Sequence, residues 1–275
     1  MPTVQSNGIT LAYTDSGEGR PVVLIHGWPL SGASWSEQVP ALVDAGFRAI
    51  AYDRRGFGES DKPDTGYDYD TLAADLAGLL EELDLRDVTL VGFSMGGGEV
   101  ARYLGTPALR ESGRIRSAVF AAAVPPYLLK SDDNPDGGLS AEDVEGMVQG
   151  VTDDREGFLD GFTTDFFSVD GEIKVSEEQR QQALELEKPA VPAALAGCIR
   201  AFALTDFRAD LAAIDVPTLV LHGDGDATVP AAVSGERTAE AVEGAEKVIV
   251  AGAPHGFNVS HASEFNAALL DFLQR

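Results

Sequence analysis

The stretch Val88-Thr-Leu-Val-Gly92-Phe-Ser94-Met-Gly96-Gly-Gly-Glu-Val100 constrains this chain more tightly than any other. An apolar run of β type ends at Gly92, and a run compatible with a helix starts just after Ser94. Between them lies G-x-S-x-G, the strand–turn–helix in which a strained turn lifts a serine hydroxyl above a sheet. Small residues at 92 and 96–98 suit that geometry, because strand and helix must approach closely around an unusual backbone conformation at Ser94. Taken alone, the pattern also fits an ordinary glycine turn. Its weight depends on whether the rest of the chain supplies a base, an acid and an oxyanion hole.

The flanking sequence supplies a scaffold. Residues 9–14 alternate like an edge strand after a turn at Asn7-Gly8. Pro21 to Ile25, stopped by His26-Gly27, is a continuous apolar run suited to a strand buried on both faces. Stretches 48–53 and 115–123 have the same character. Helical patterns cover 36–45, 69–84 and about 95–105, the second with Leu72, Leu76, Leu79, Leu80 and Leu83 on one face. This order implies an α/β fold with a mostly parallel sheet and right-handed crossovers.

After Pro125-Pro126 the strand signals fade until about Asp206, and helical patterns fall at 140–150, 154–166, 176–186 and 191–203. Such a stretch is expected to lie as a helical lid over the C-terminal edge of the sheet, where ligands bind in open α/β folds. The sheet pattern resumes at 217–223, followed by a helix over 230–243, a strand over 247–251 and a closing helix over 261–274. The expected organisation is a core of 1–124 and 207–275 with a lid, 125–206, inserted in it.

Charge narrows the partners. Asp and Glu number 45 against 20 Lys and Arg, a formal charge of −25. Nucleic acid and anionic membranes attract basic surfaces and are therefore poor partners. The acidic bias fits either adaptation to high salt or the composition of the genome. No apolar run approaches the roughly 18 residues that span a bilayer, and the N-terminus lacks the basic and apolar regions of a signal peptide. A cytoplasmic location is the default. Cys198 is the only cysteine, which leaves no intrachain disulfide and no cysteine-rich zinc site. Asp132-Asp-Asn134-Pro-Asp136-Gly137 copies the first half of an EF-hand loop, but Pro135 interrupts it and Asp143 stands where that loop needs a bidentate Glu. It reads as a surface loop, and no metal or cofactor is expected. Asp53, Arg54 and Arg55, in the glycine-punctuated loop after the strand pattern at 48–53, read as a loop-ordering ion pair rather than substrate ligands.

A serine hydroxyl becomes a nucleophile only when a base takes its proton, and that base needs an acid to fix its tautomer. Of the four histidines, His255 alone sits in a loop just after a strand and downstream of a plausible acid. The acid is Asp226 or Asp224. Asp224 directly follows a strand and suits a turn cap, whereas Asp226 lies further out, which favours it. The order Ser94…Asp226…His255 matches the nucleophile-acid-base order found on hydrolase sheets of this kind. His26-Gly27-Trp28-Pro29 is the candidate oxyanion loop, with the Trp28 and Met95 amides as donors.

Six blocks carry a wider resemblance: His26-Gly-Trp-Pro29, Tyr52-Asp-Arg-Arg-Gly-Phe-Gly-Glu-Ser60, Gly66-Tyr-Asp-Tyr-Asp70, Gly92-Phe-Ser-Met-Gly-Gly-Gly-Glu-Val-Ala-Arg-Tyr103, Leu221-His-Gly-Asp-Gly-Asp226 and Ala253-Pro-His-Gly-Phe257. With these the chain resembles the cofactor-free bacterial haloperoxidases, a family of α/β-hydrolases that includes aryl esterases, perhydrolases and γ-lactamases. The match spans essentially the whole chain and is weakest from 130 to 200. It implies an eight-stranded α/β-hydrolase sheet with helices on both faces, Ser94, Asp226 and His255 as catalytic triad, and the Trp28 and Met95 amides as oxyanion hole. It also implies a small acyl pocket faced by Val124, Phe158, Phe162 and Val229, no haem or metal, and a homo-oligomer.

The expected reaction is acyl transfer on small carboxylic esters, with water or hydrogen peroxide as acyl acceptor. In the family, peracid released after peroxide attack oxidises halide in solution. Pro29 restricts the backbone at 28 and fixes φ at 29, so the Trp28 carbonyl is expected to stand where peroxide can donate to it. The same residues would serve a γ-lactamase or other amidase. A non-catalytic receptor on this scaffold is the remaining alternative. Serine rather than Asp at 94 argues against dehalogenase or epoxide hydrolase chemistry.

Overall fold

A computed structural model describes residues 1–275. Eight strands form one sheet: β1 (Thr3–Ser6), β2 (Ile9–Ser16), β3 (Arg20–Ile25), β4 (Phe47–Tyr52), β5 (Val88–Phe93), β6 (Ile115–Ala121), β7 (Thr218–Gly223) and β8 (Glu246–Val250). Their order is β1-β2-β4-β3-β5-β6-β7-β8. β2 pairs antiparallel with β1 and β4, and every pairing from β4 to β8 is parallel. The strand expected at the edge, β2, is therefore second, because Thr3–Ser6 turns through Asn7-Gly8 and covers it.

Alternation along the central strands explains the two layers. Val23, Ile25, Ile50, Leu90, Ala118, Phe120 and Val220 point into one apolar cluster, and their chain neighbours Val22, Leu24, Ala49, Val91, Val119 and Leu221 into the other. Side chains of α2 (Tyr69–Glu82) and α3 (Met95–Gly105) cover the first face through Leu72, Leu76, Leu79, Leu80, Val100 and Leu104. Trp35, Leu42 of α1 (Gln38–Asp44), and Phe265, Leu269 and Phe272 of the last helix (Ala262–Leu273) cover the second. Burying both faces removes the polar stripe that an exposed sheet face would show, which is why the parallel strands read as unbroken apolar runs.

Between β6 and β7 the chain forms four longer helices, Ala141–Asp153, Arg155–Phe166, Glu177–Glu187 and Pro192–Leu204, within three residues of their sequence-expected limits. Their starts are capped locally. Ser140 and Asp143 form a capping box, as do Ser176 and Gln179, and Asp154 accepts from the Gly157 amide. Asp143 of the EF-hand look-alike is thus the third residue of the helix, its carboxylate accepting from the Ser140 amide and hydroxyl. Asn134 of that loop donates to the Tyr127 and Leu129 carbonyls, and Asp133 pairs with Arg208. One helix is shorter than expected. Residues 230–234 form turns and only Gly235–Ala241 is helical, since the Ser234 and Thr238 hydroxyls are drawn onto the Ala123 and Pro125 carbonyls at the end of β6. No helix is long and apolar enough to cross a membrane.

Candidate active site

All the parallel strands end on the same edge, so the loops after β3, β5, β7 and β8 converge there. β3 and β5 are neighbours in register Ile25↔Gly92, which sets Gly27 directly against Ser94. A Cβ at Gly27 would lie 3.1 Å from the Ser94 Cβ. Ser94 itself has φ 53° and ψ −120°, a conformation that costs energy for a residue bearing a Cβ and recurs at functional turns. The elbow closes only because Gly92 and Gly96 lack side chains. A Cβ at Gly92 would lie 2.5 Å from the Gly96 carbonyl oxygen, and one at Gly96 would lie 2.5 Å from that of Ile25.

The Ser94 hydroxyl lies 2.9 Å from His255 Nε2, and His255 Nδ1 lies 2.6 Å from Asp226 Oδ2. An ionised carboxylate only accepts, so Nδ1 carries the proton and Nε2 is left to accept from serine. Burial pushes the Asp226 carboxyl up, but the charge of His255 and hydrogen bonds from His222 and His255 outweigh it and hold the pKa at about 2. Its Oδ1 accepts from the Val229 amide at 2.8 Å. Asp224, the rival acid, turns away and accepts from the Gly252 amide at 2.6 Å. The rings of Phe93 and Phe166 lie 5.3 and 5.0 Å from that of His255 and shut water out from its faces.

A fourth group completes this chain. His222 at the end of β7 places Nε2 3.2 Å from Asp226 Oδ2 and 2.8 Å from the Val229 carbonyl oxygen. Both partners accept, so Nε2 carries the proton, and Nδ1 is buried without a partner. The four-residue separation of 222 and 226 was the only sequence signal for this contact.

Met95 follows Ser94 in the chain, and Trp28 lines the same cavity as Ser94. Met95 opens α3, so its N–H has no acceptor within the helix, and the Trp28 N–H meets no protein acceptor. The peptide between Trp28 and Pro29 is cis. Both residues are buried.

The cavity above Ser94 holds about 60 Å³ and is lined by Trp28, Val124, Leu128, Leu139, Met147, Phe162, Phe202, Thr228 and Val229. Three of the pocket residues expected from sequence, Val124, Phe162 and Val229, are on this wall; Phe158 and Pro29 are not. Phe158 lies one helical turn before Phe162 and lines a wider outer cleft of about 980 Å³ instead. Pro29 is buried and lines neither space. The two spaces share Met147, Phe162 and Thr228 as their common wall. Phe202, which the sequence offers as either lid core or pocket lining, is on the wall, whereas Leu128, Leu139, Met147 and Thr228 went unnoticed, because single residues of helices and loops carry no mark of the face they present.

Asp53, Arg54 and Arg55 order the loop after β4. Arg55 pairs with Asp75 and Arg54 with Glu99, both buried, while Asp53 accepts from the Gly32 and Glu59 amides.

The chain matches the family of the alpha/beta hydrolase fold over residues 20–262. It is 46% identical over 282 residues to a putative non-heme chloroperoxidase of Synechocystis, covering 100% of each chain. It is 35% identical to a bifunctional esterase/perhydrolase of Acinetobacter calcoaceticus, covering 98% of this chain and 97% of the relative. A bromoperoxidase of Bacillus anthracis superposes with a TM-score of 0.95 at 52% identity, over 100% of both chains.

Proposed function

The chain belongs to the α/β-hydrolase family, in the branch that holds the non-heme haloperoxidases and esterase/perhydrolases, and we propose that it is a serine esterase acting on small carboxylic esters through an acyl-enzyme. The hydrogen-bonded series Ser94–His255–Asp226, at 2.9 and 2.6 Å, carries this reading. His255 takes the Ser94 proton as the hydroxyl oxygen attacks the ester carbonyl, and the Trp28 and Met95 amides receive the negative charge on the carbonyl oxygen. The imidazolium, stabilised by Asp226, then protonates the departing alcohol. Water, or hydrogen peroxide in a perhydrolase side reaction, attacks the acyl carbon and releases acid or peracid. The name of the Acinetobacter relative supports both acceptors. Pro29, by restricting the backbone beside the Trp28 carbonyl, is proposed to favour the peroxide branch.

A small, mainly apolar space of about 60 Å³ supports a short acyl group, with the alcohol portion lying towards the outer cleft. In this reading residues 125–206 act as the lid of a core formed by 1–124 and 207–275. Ser94→Ala is expected to abolish p-nitrophenyl acetate hydrolysis and the initial burst of nitrophenol together, a loss of about 10⁴-fold or more. Hydrolysis at an unchanged rate in that variant overturns the assignment.

A further inference from the structure

His26 is fully buried one residue before the oxyanion loop, and nothing in the proposed reaction uses it. Its surroundings settle which nitrogen bears the proton. The Arg54 backbone N–H donates to Nε2 at 3.0 Å, so Nε2 is bare. Nδ1 lies 2.8 Å from the Gly27 carbonyl oxygen, which only accepts, so Nδ1 carries the hydrogen and donates it there. An Arg54 guanidinium nitrogen 3.3 Å from Nδ1 is then a contact between two N–H groups rather than a hydrogen bond. Burial, reinforced by the Arg54 charge and only partly opposed by the Gly27 contact, holds the ring well below the ordinary histidine range and keeps it neutral.

The Gly27 oxygen also accepts from the Leu30 amide at 3.0 Å. It belongs to the same peptide unit as the Trp28 N–H. That unit is trans and planar, so its C=O and N–H point in opposite directions. Whatever holds the Gly27 oxygen on the loop side therefore holds the Trp28 hydrogen on the other, which in the oxyanion-hole reading is the side that faces Ser94. A rotation of this peptide would remove the donor without moving any side chain of the triad.

Building on the oxyanion-hole reading above, we propose that His26 is a positioning residue that clamps the Gly27–Trp28 peptide, aiming the Trp28 N–H at the developing oxyanion. Arg54 supports the clamp from behind: its guanidinium donates to the His26 carbonyl at 2.6 Å, and its backbone N–H fixes the imidazole tautomer.

Two substitutions separate the two ends of the ring. The amide nitrogen of Asn overlies Nδ1 and can still donate to the Gly27 oxygen, whereas the amide of Gln overlies Nε2 and can meet only the Arg54 amide. The test compares wild type, His26→Asn and His26→Gln in p-nitrophenyl acetate hydrolysis and in binding of a small alkylboronic acid, which mimics the tetrahedral intermediate on serine. Circular dichroism and thermal melting check that each variant is folded. Loss of one oxyanion donor is worth about 10²–10³ in kcat. Accordingly His26→Gln is expected to lose about 10²-fold in kcat and in boronate affinity with KM within about threefold, and His26→Asn to recover at least about tenfold of that loss. Folded His26→Gln with wild-type kcat overturns the clamp, as does a loss carried in KM alone. So does His26→Asn as impaired as His26→Gln, since that pattern belongs to packing rather than to the Gly27 contact. If a variant fails to fold, 15N NMR of the wild-type imidazole provides the second route: the clamp requires the His26 ring to stay neutral with its hydrogen on Nδ1 across pH 5–9, free and with boronate bound, and a hydrogen on Nε2 or a charged ring overturns it. Wild type that neither hydrolyses the ester nor binds the boronate overturns the active-site reading itself, an outcome distinct from failure of the clamp.

Discussion

Glu187, at the end of the helix Glu177–Glu187, is a carboxylic acid in the wrong place for a charge. It is 2% exposed, its Oε1 accepts from the Thr163 hydroxyl at 2.7 Å, and its Oε2 has no partner. Burial pushes its pKa from 4.5 to about 8, with the Thr163 hydrogen bond and the Arg155 charge opposing only part of the rise. At about 1.4 kcal/mol for each pH unit between those values, ionising Glu187 inside the folded protein costs on the order of 5 kcal/mol relative to ionising it in the unfolded chain. The sign follows from proton counting. Between about pH 4.5 and 8 the folded state holds a proton that the unfolded state has released, so stability falls as pH rises. The contribution is complete below about 4.5 and gone above about 8. Glu187→Gln keeps the acceptor for Thr163 and cannot ionise. The two proteins should therefore melt alike near pH 5 and diverge steadily, with the variant ahead by roughly 10 °C at pH 9. Thermal melts followed by circular dichroism across pH 5–9 make the comparison, and taking the difference between the two proteins cancels every other titrating group. A difference that stays flat across this range refutes the reasoning.

Other perturbations probe the site and its frame. His222→Leu removes one of the two imidazole donors to Asp226 Oδ2 and is expected to lower kcat about tenfold or more with KM unchanged, while His222→Gln restores part of it; equal kcat in wild type and His222→Leu counts against this. Phe162→Ala opens the wall shared by the cavity and the outer cleft, so the preferred p-nitrophenyl ester should shift from acetate towards butyrate or hexanoate; an unchanged chain-length profile places the acyl group elsewhere. Gly97→Ala sets a Cβ 2.3 Å from that of Ala123, and urea unfolding should show a loss of about 1–3 kcal/mol.

Most of the scaffold was legible because each local signal agreed with its neighbours. The apolar runs at 21–25, 88–93 and 218–221 are buried on both faces, and their residue types leave no other environment open to them. Ser94, Asp226 and His255 were recognisable because each lies just past the end of a strand, and parallel strands deliver their ends to one edge. What stayed hidden depends on orientation rather than on residue type. Phe158 and Phe162 have the same chemistry and lie one turn apart, yet only Phe162 reaches the cavity above Ser94. The strand β1 is four residues long and mixes Thr, Gln and Ser with a single Val, so its pairing with β2 rests on register rather than composition.

The histidines show the limit most clearly. The positions of His26 and His222 at strand ends are visible in the sequence, but a role needs a tautomer, and a tautomer is set by what faces each nitrogen. The partners that decide it are the Arg54 amide and Gly27 oxygen for His26, and the Val229 oxygen and Asp226 carboxylate for His222. Three of those four are backbone atoms or depend on backbone direction, and backbone atoms are the same at every position of a sequence. The hydrogen-bonded series Ser94–His255–Asp226 can therefore be anticipated from side chains and their order, whereas the groups proposed to aim it come into view only once the chain has folded. Substitutions at His26 and His222 that conserve size but exchange one nitrogen for another are thus the sharper probes of this site. They alter a hydrogen-bond direction while leaving the residues legible in the sequence in place.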